Sequence, residues 1–129
     1  MATVLIVEDA LFMRRTIRGA LEPLGFEIVG EASSGEQGLE MFKKFKPDLT
    51  TMDIVMPGMD GIEALTAIRK ESPDAKVIMI TAIDQRESML AAMHLGISDF
   101  VVKPFDDNRI ISAAENALGK KYNIQKGDN

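Results

Sequence analysis

The chain has 129 residues, with 15 lysines and arginines against 20 aspartates and glutamates, and this length suits one domain with its own hydrophobic core. Its net negative charge argues against general binding to nucleic acids or to anionic membranes, because both depend on basic patches. The sequence has no cysteine and one histidine, His94, which excludes disulfides, thiolate metal sites and multi-histidine metal sites and disfavours a Ser-His-Asp triad.

The pattern of apolar and polar residues predicts five strands alternating with five helices. The strands are short runs rich in β-branched and apolar residues, and the helices repeat apolar residues every three or four positions. In chain order we predict strand 3–7, helix 11–24, strand 26–31, helix 35–45, strand 49–52, helix 61–72, strand 76–80, helix 85–95, strand 99–102 and helix 108–118.

Residues that favour helix ends lie at the predicted boundaries. We expect Asp9 to cap the first helix and Gly25 to end it. The next three helices follow pairs with the spacing of a capping box, which are Ser34 with Gln37, Asp60 with Glu63, and Asp84 with Glu87.

Two helices carry side chains whose surroundings bear on function. In the fourth helix we expect an apolar side formed by Met89, Leu90, Met93 and Leu95, and we expect His94 to be a surface or packing residue in the middle of the helix. The arginines of the first helix are interpreted as a solvated face, and they are Arg14, Arg15 and Arg18.

The alternation of strands and helices predicts an α/β protein. Right-handed crossovers place helices on both faces of a parallel sheet, so we predict a three-layer sandwich. We expect the strand order 2-1-3-4-5, which is the order that the family resemblance described below implies. One domain is expected over residues 1–119, with a polar tail at residues 120–129. No apolar stretch has the length of a membrane span, and the N terminus lacks the charged start of a signal peptide. We therefore expect a cytoplasmic protein without membrane insertion.

Polar residues collect where the predicted strands end. Glu8 and Asp9 follow the first strand, Asp53 the third, Thr81 the fourth and Lys103 the fifth. The carboxyl ends of parallel strands share one edge, and ligands bind there at the switch point between strands 1 and 3. The sequence therefore predicts three carboxylates, a hydroxyl and an ammonium around one site. Taken singly, the acids of the first loop also fit a helix cap and Asp53 fits a turn.

Three convergent carboxylates repel one another unless a cation joins them. Oxygen ligands without histidine or cysteine select a hard ion, and Mg²⁺, with Mn²⁺ as a substitute, fits such a site together with a phosphoryl oxygen. Lys103 is suited to a single phosphoryl oxygen, and Thr81 can donate a hydrogen bond to another. Asp53 is then the candidate nucleophile that accepts the phosphoryl group.

Four segments of the sequence resemble the receiver domain of two-component response regulators. The matching segments are Val-Leu-Ile-Val-Glu-Asp at residues 4–9, Met-Asp-Ile-Val-Met-Pro-Gly-Met-Asp-Gly at 52–61, Ile-Thr-Ala at 80–82 and Val-Lys-Pro-Phe at 102–105. The resemblance covers residues 3–118 and implies a flavodoxin-like (βα)5 fold. It also implies that a sensor histidine kinase phosphorylates Asp53.

The resemblance implies a ligand set for the metal. Asp9, Asp53 and the backbone carbonyl of Val55 would bind Mg²⁺, with Glu8 assisting through a water molecule. Glu8 stands where many members of the family have aspartate, and we expect Mg²⁺ binding to persist with the longer side chain.

The resemblance also implies how phosphorylation is reported. Lys103 would pair with the phosphoryl group, Thr81 would turn to hydrogen-bond it, and Phe100 would turn inward when Thr81 moves. The peptide bond before Pro104 is expected to be cis, as in the family, to aim Lys103. A downstream target would bind the face formed by helix 4, strand 5 and helix 5. The protein is expected to be a monomer that can dimerise on phosphorylation.

Two apolar residues lie beside the predicted phosphoryl site. Val55 and Ile83 stand two residues after Asp53 and Thr81, where many receivers have polar side chains. Apolar groups cannot orient a hydrolytic water, so we expect slow loss of the phosphoryl group compared with a Val55→Asn variant.

The leading interpretation is a stand-alone signalling switch, and chemotaxis is the first choice of pathway. We expect the protein to catalyse its own phosphorylation and dephosphorylation but not to be an enzyme in any wider sense. A phosphorelay intermediate that passes phosphate to a histidine phosphotransfer domain uses the same residues. A flavodoxin-like electron carrier shares the topology, but acids after the first strand would repel the phosphate of FMN. A phosphatase with an aspartyl nucleophile usually has a second acid two residues later, where this chain has Val55.

Overall fold

The computed structural model describes residues 1–119, in which five strands alternate with five helices. The strands are β1 (Thr3–Val7), β2 (Glu27–Ala32), β3 (Leu49–Asp53), β4 (Val77–Thr81) and β5 (Asp99–Val102). The helices are α1 (Leu11–Leu21), α2 (Gly35–Phe45), α3 (Gly61–Glu71), α4 (Arg86–His94) and α5 (Asp107–Leu118), and a 3-10 turn at Glu22–Leu24 follows α1. The tail predicted at residues 120–129 lies outside the described residues.

The strands form one parallel sheet in the order 2-1-3-4-5, which confirms the predicted flavodoxin-like fold. β1 lies between β2 and β3, and it pairs with β3 from Val4 opposite Leu49 to Val7 opposite Met52. The carboxyl ends of β1, β3 and β4 therefore meet at one edge of the sheet. Within residues 1–119, no helix combines the length and the hydropathy that a membrane span requires.

The sheet separates two hydrophobic clusters. Val4 and Ile6 pack with α1 and α5 on one face, whereas Leu5 and Val7 pack with α2 and α3 on the other. Successive side chains of a strand point to opposite faces, so β1 must be apolar at every position to be buried on both sides. This requirement explains the unbroken apolar run that begins the sequence.

One predicted capping box is confirmed and a second is half right. Asp60 Oδ1 accepts a hydrogen bond from the N–H of Glu63 at 2.9 Å, and Glu63 Oε1 accepts one from the N–H of Asp60 at 3.0 Å. Ser34 Oγ accepts from the N–H of Gln37 at 3.1 Å, but Gln37 Oε1 accepts from the N–H of Ser33. The second box therefore lacks its return bond to Ser34.

The predicted caps of α1 and α4 are wrong. The residue that precedes α1 is Ala10, without a side-chain cap, because Asp9 belongs to the acidic cluster described below. α4 begins at Arg86, and the residue before it is Gln85, which makes no side-chain cap. Asp84 lies instead in a turn that Gln85 closes, since the N–H of Gln85 donates to the carbonyl oxygen of Ala82 at 3.1 Å.

α4 buries less apolar surface than its sequence predicts. Leu90 and Met93 remain 48% and 52% exposed, and Ala92 is the buried residue of this helix. The predicted apolar side of α4 is therefore only partly buried: Leu95 packs against the core, whereas Leu90 and Met93 face outward. His94 is exposed and is the last residue of α4, so its predicted place in the middle of the helix is wrong.

Arg69 of α3 holds the C-terminal end of α4. Its Nε donates to the carbonyl oxygen of Leu95 at 2.7 Å, and its Nη2 donates to that of Gly96 at 2.6 Å. Carbonyl groups at a helix C terminus lack partners within the helix, so the guanidinium satisfies them and fixes this end of α4.

Gly61 sets the distance between β3 and α3. Its N–H donates to the carbonyl oxygen of Ile54 at 2.7 Å, and a Cβ at this position would lie 2.2 Å from the carbonyl oxygen of Asp53. No side chain fits that space, and the obstructing atom belongs to the backbone. The close approach brings the start of α3 directly against the end of the strand that carries Asp53.

We predict that Gly61→Ala lowers the free energy of unfolding by about 1–3 kcal/mol, because the methyl group forces β3 and α3 apart. Gly19→Ala is the matched control: its Cβ would meet no atom within 4 Å, and alanine in a helix interior stabilises by about 0.5–1 kcal/mol over glycine. Urea unfolding followed by circular dichroism measures both changes. Equal midpoints for the two variants would contradict the proposed role of Gly61.

Candidate functional site

Three carboxylates meet at the carboxyl edge of the sheet, where the sequence predicted them. Glu8 and Asp9 follow β1 and Asp53 ends β3, and one oxygen from each lies within 4.8 Å of the other two. Glu8 and Asp53 are only 1% and 5% exposed, whereas Asp9 faces solvent. The cluster is thus buried on one side and open to water on the other.

Lys103 supplies a positive charge to the buried side of this cluster. Its Nζ lies 3.3 Å from Glu8 Oε1 and 3.3 Å from Asp53 Oδ1. The backbone N–H of Lys103 donates to the carbonyl oxygen of Thr81 at 2.7 Å, and the peptide bond to Pro104 is cis, as predicted. The loop after β5 therefore directs this ammonium to the ends of β1 and β3.

Burial and charge shift the pKa values of the three groups. Burial, together with the charge of Asp53, raises the pKa of Glu8 to about 7. Burial also raises the pKa of Asp53, although Lys103 acts in the opposite direction. Burial lowers the pKa of the Lys103 ammonium, but the two carboxylates raise it by more, so the net shift is upward. Both acids therefore bind protons more readily than exposed carboxylates do.

The donor set fits a hard divalent cation. The three carboxylates offer only oxygen ligands, which Mg²⁺ and Mn²⁺ prefer. Glu8 Oε1 is buried and makes no hydrogen bond, although Lys103 lies within ion-pair distance of it. One ammonium cannot neutralise three carboxylates, so a divalent ion would satisfy this oxygen and remove the remaining repulsion.

Thr81 ends β4 with its hydroxyl group engaged in the following loop. Its Oγ1 lies 3.1 Å from Gln85 Oε1 and 3.1 Å from the carbonyl oxygen of Ala82. Gln85 Oε1 also accepts a hydrogen bond from the N–H of Ala82 at 2.7 Å. Phe100, on the neighbouring strand β5, is partly exposed. The hydrogen bond between Thr81 and Gln85 was not predicted from the sequence, because Gln85 lies between the two residues of an expected capping box.

Val55 and Ile83 occupy the loops that follow β3 and β4. Both side chains are exposed, so neither contributes to the hydrophobic clusters. The chain therefore presents two apolar side chains in the loops that follow Asp53 and Thr81.

Arg14 is a contributor to the site that sequence reasoning missed. Its Nη1 donates to the carbonyl oxygens of Glu8 and Asp9 at 2.7 and 3.3 Å, and its Nε lies 3.2 Å from Glu31 Oε1. The interpretation of a solvated arginine face is wrong for Arg14 and for Arg18, which also pairs with Glu31. The opposite charge on β2 was the available signal, but spacing within α1 cannot identify a partner on another element.

We predict that the metal-free protein loses stability as pH rises from about 4.5 to about 7. A carboxyl group with a raised pKa, such as Glu8, binds more protons in the folded state over this range, so the free energy of unfolding falls with rising pH. The expected decrease is about 1–3 kcal/mol.

Urea unfolding in EDTA at pH 5 and pH 8 tests this prediction. Glu8→Gln should reduce the decrease, because the amide does not ionise. The control Glu27→Gln removes an exposed acid of β2 and should keep the wild-type pH dependence. The same decrease in Glu8→Gln as in wild type would refute the role of Glu8.

Comparisons with known proteins agree with this site. The family model described as the response regulator receiver domain matches residues 4–115. The chain is 47% identical to Protein CcdB of Bacillus subtilis over 119 residues, covering 92% of this chain and 99% of that protein. It is 44% identical to the chemotaxis protein CheY of Thermotoga maritima over 110 residues, covering 85% and 92% respectively.

A similar solved structure is the CheX–CheY–BeF3–Mg complex from Borrelia burgdorferi. It matches with a TM-score of 0.86 and 31% identity, over 91% of this chain and 89% of that chain. The family match, the strand order and the acidic cluster all lead to the same conclusion. The chain belongs to the response regulator receiver domain family of two-component signalling and is related to CheY.

Proposed function

We propose that this protein is a phosphorylation switch in which Asp53 accepts a phosphoryl group from a sensor histidine kinase. The observation that carries the proposal is the position of Asp53, which lies 3.3 Å from the Lys103 ammonium and has an oxygen within 4.8 Å of an oxygen of Glu8 and of Asp9. This carboxylate can bind a metal and a phosphoryl group at once, next to a fixed positive charge.

In the proposed transfer, a carboxylate oxygen of Asp53 attacks phosphorus in the kinase's phosphohistidine. The new O–P bond forms as the N–P bond breaks, and the histidine nitrogen retains the electron pair and takes up a proton. Mg²⁺, held by Glu8, Asp9, Asp53 and the Val55 carbonyl, would offset negative charge on the phosphoryl oxygens. Lys103 stays beside Asp53 and pairs with a phosphoryl oxygen.

Phosphorylation would change the hydrogen bond of Thr81. The phosphoryl group adds about −1.5 to −2 charge and three acceptor oxygens, which compete with Gln85 for the Thr81 hydroxyl. As Thr81 turns toward Asp53 it leaves space into which Phe100 can move. Moving a mostly inactive population to a mostly active one requires about 5.5 kcal/mol of differential stabilisation, which several such contacts together can supply.

The proposed output surface is the face of α4, β5 and α5. Four apolar side chains there are at least partly exposed, and they are Leu90, Met93, Phe100 and Val102. An apolar surface next to a movable aromatic side chain suits a partner that binds one state of the switch. We propose a downstream target protein on this face.

A chemotaxis role is the leading assignment, supported by 44% identity to a chemotaxis protein along most of both chains. The alternative of a phosphorelay intermediate differs in one measurable property, which is reversible transfer to a histidine phosphotransfer domain. The acidic cluster after β1 disfavours a flavin carrier, because it would repel the phosphate of FMN.

Incubation with acetyl phosphate should add one labile phosphoryl group, detected by mass spectrometry, to the wild-type chain. The adduct should require Mg²⁺ or Mn²⁺ and disappear in EDTA, since three carboxylates otherwise repel the donor. Asp53→Asn is the matched control and should remain unmodified. An equal adduct on Asp53→Asn would contradict the assignment of Asp53.

We also expect Val55→Asn to shorten the lifetime of the phosphoryl group about threefold to tenfold, or about 1 kcal/mol of activation free energy. The amide can orient a hydrolytic water that the exposed valine side chain cannot. The measurement is phosphate release from purified phosphorylated protein in Mg²⁺. Val55→Ala, which widens access without adding a polar group, should behave like wild type. Equal rates for the asparagine variant and wild type would contradict the prediction.

A further inference from the structure

We infer that Arg14 is a positioning residue that holds the two adjacent acids of the metal site. The inference rests on the proposed function, because it assigns a role within that same site. Arg14 lies on α1, yet its Nη1 lies 2.7 Å from the carbonyl oxygen of Glu8 and 3.3 Å from that of Asp9. One guanidinium nitrogen therefore contacts two successive peptide groups of the loop that carries Glu8 and Asp9.

The backbone of Glu8 is held on both sides. Its N–H donates to the carbonyl oxygen of Ala32 on β2 at 2.9 Å, and its carbonyl oxygen accepts from Arg14. The peptide group that links Glu8 to Asp9 is thus hydrogen-bonded to a side chain of α1. Rotation of that group would displace both carboxylates, so the guanidinium limits the positions that they can take.

Arg14 is itself held by an ion pair with Glu31 of β2, which also pairs with Arg18 of α1. Its Nε lies 3.2 Å from Glu31 Oε1, and the second oxygen of Glu31 lies 2.6 Å from Arg18 Nε. The side chain of Arg14 is only 16% exposed, which reduces screening by solvent. A series of contacts therefore runs from Arg18 through Glu31 and Arg14 to the metal-site loop.

The guanidinium suits this task better than an ammonium would. It is planar, and it donates in fixed directions to the two carbonyl oxygens and to Glu31 together. A lysine at the same position keeps the charge but cannot hold all three acceptors in that geometry. Arg14→Lys should therefore recover part of the function and not all of it.

If Arg14 acted only through its charge, its removal would have the opposite effect on Mg²⁺ affinity, so the two explanations can be distinguished. A guanidinium close to a cation site repels the cation, so removal of Arg14 would tighten Mg²⁺ binding if repulsion were its main effect. Positioning predicts weaker binding instead. Loss of a group that orients a metal ligand typically reduces metal affinity by 10- to 100-fold, and we expect about tenfold for Arg14→Ala.

The experiment is calorimetric titration of Mg²⁺ into the full unphosphorylated chain, for wild type and variants. Arg15→Ala is the matched control, because Arg15 is the adjacent arginine of α1 and is exposed, and it should bind Mg²⁺ within twofold of wild type. Arg14→Ala should bind about tenfold more weakly, and Arg14→Lys should fall between them. Urea unfolding of each variant separates loss of affinity from loss of fold.

Arg14→Lys keeps the test valid if Arg14→Ala does not fold. It retains the positive charge, so an effect of charge alone predicts unchanged Mg²⁺ affinity, whereas positioning predicts weaker binding because lysine cannot hold both carbonyl oxygens and Glu31. Glu8→Gln reports on the proposed metal site itself and should also weaken binding.

Unchanged or tighter Mg²⁺ binding in Arg14→Ala, with weaker binding in Glu8→Gln, would overturn the inference and leave the metal site standing. Wild-type affinity in both variants would instead refute the metal site, and the role of Arg14 with it.

Discussion

Repulsion among Glu8, Asp9 and Asp53 is the constraint on which the rest of the site depends. Two like charges about 4 Å apart repel by about 4 kcal/mol at an effective dielectric near 20, and the fold holds three carboxylates at such distances. Lys103 offsets part of this repulsion, whereas burial is the main cause that raises the pKa values of Glu8 and Asp53. One ammonium does not balance three carboxylates, which supports the proposal that a cation binds here together with a phosphoryl group.

The scaffold holds this unfavourable arrangement with atoms that lie outside it. Pairing of β1 with β3 places the acids side by side, and the missing side chain of Gly61 lets α3 begin directly against Asp53. Arg14 binds the backbone behind the acids of the first loop. Each of these features helps to hold the three carboxylates together against their mutual repulsion.

The fold and most of the candidate site could be predicted because both depend on local patterns. Apolar runs and their periods indicate where the strands and helices lie along the chain. Polar residues at the strand ends mark the edge where Glu8, Asp53 and Lys103 meet. What could not be predicted depends on contacts between elements. Arg14 resembles any surface arginine until β2 places Glu31 beside it, and the exposure of Leu90 depends on where α4 packs. α4 begins at Arg86, after a turn that Gln85 closes. The sequence did not reveal this turn, because Asp84 and Glu87 have the spacing of a capping box.

The sparse packing of α4 has a mechanical consequence. Ala92 is its buried residue, and one methyl group contributes only about 0.8 kcal/mol of hydrophobic burial. Arg69 fixes the C-terminal end of the helix, whereas the other end follows the turn in which Gln85 binds Thr81. The proposed change of partner at Thr81 would therefore act on the N-terminal end of α4, while the hydrogen bonds of Arg69 hold its C-terminal end.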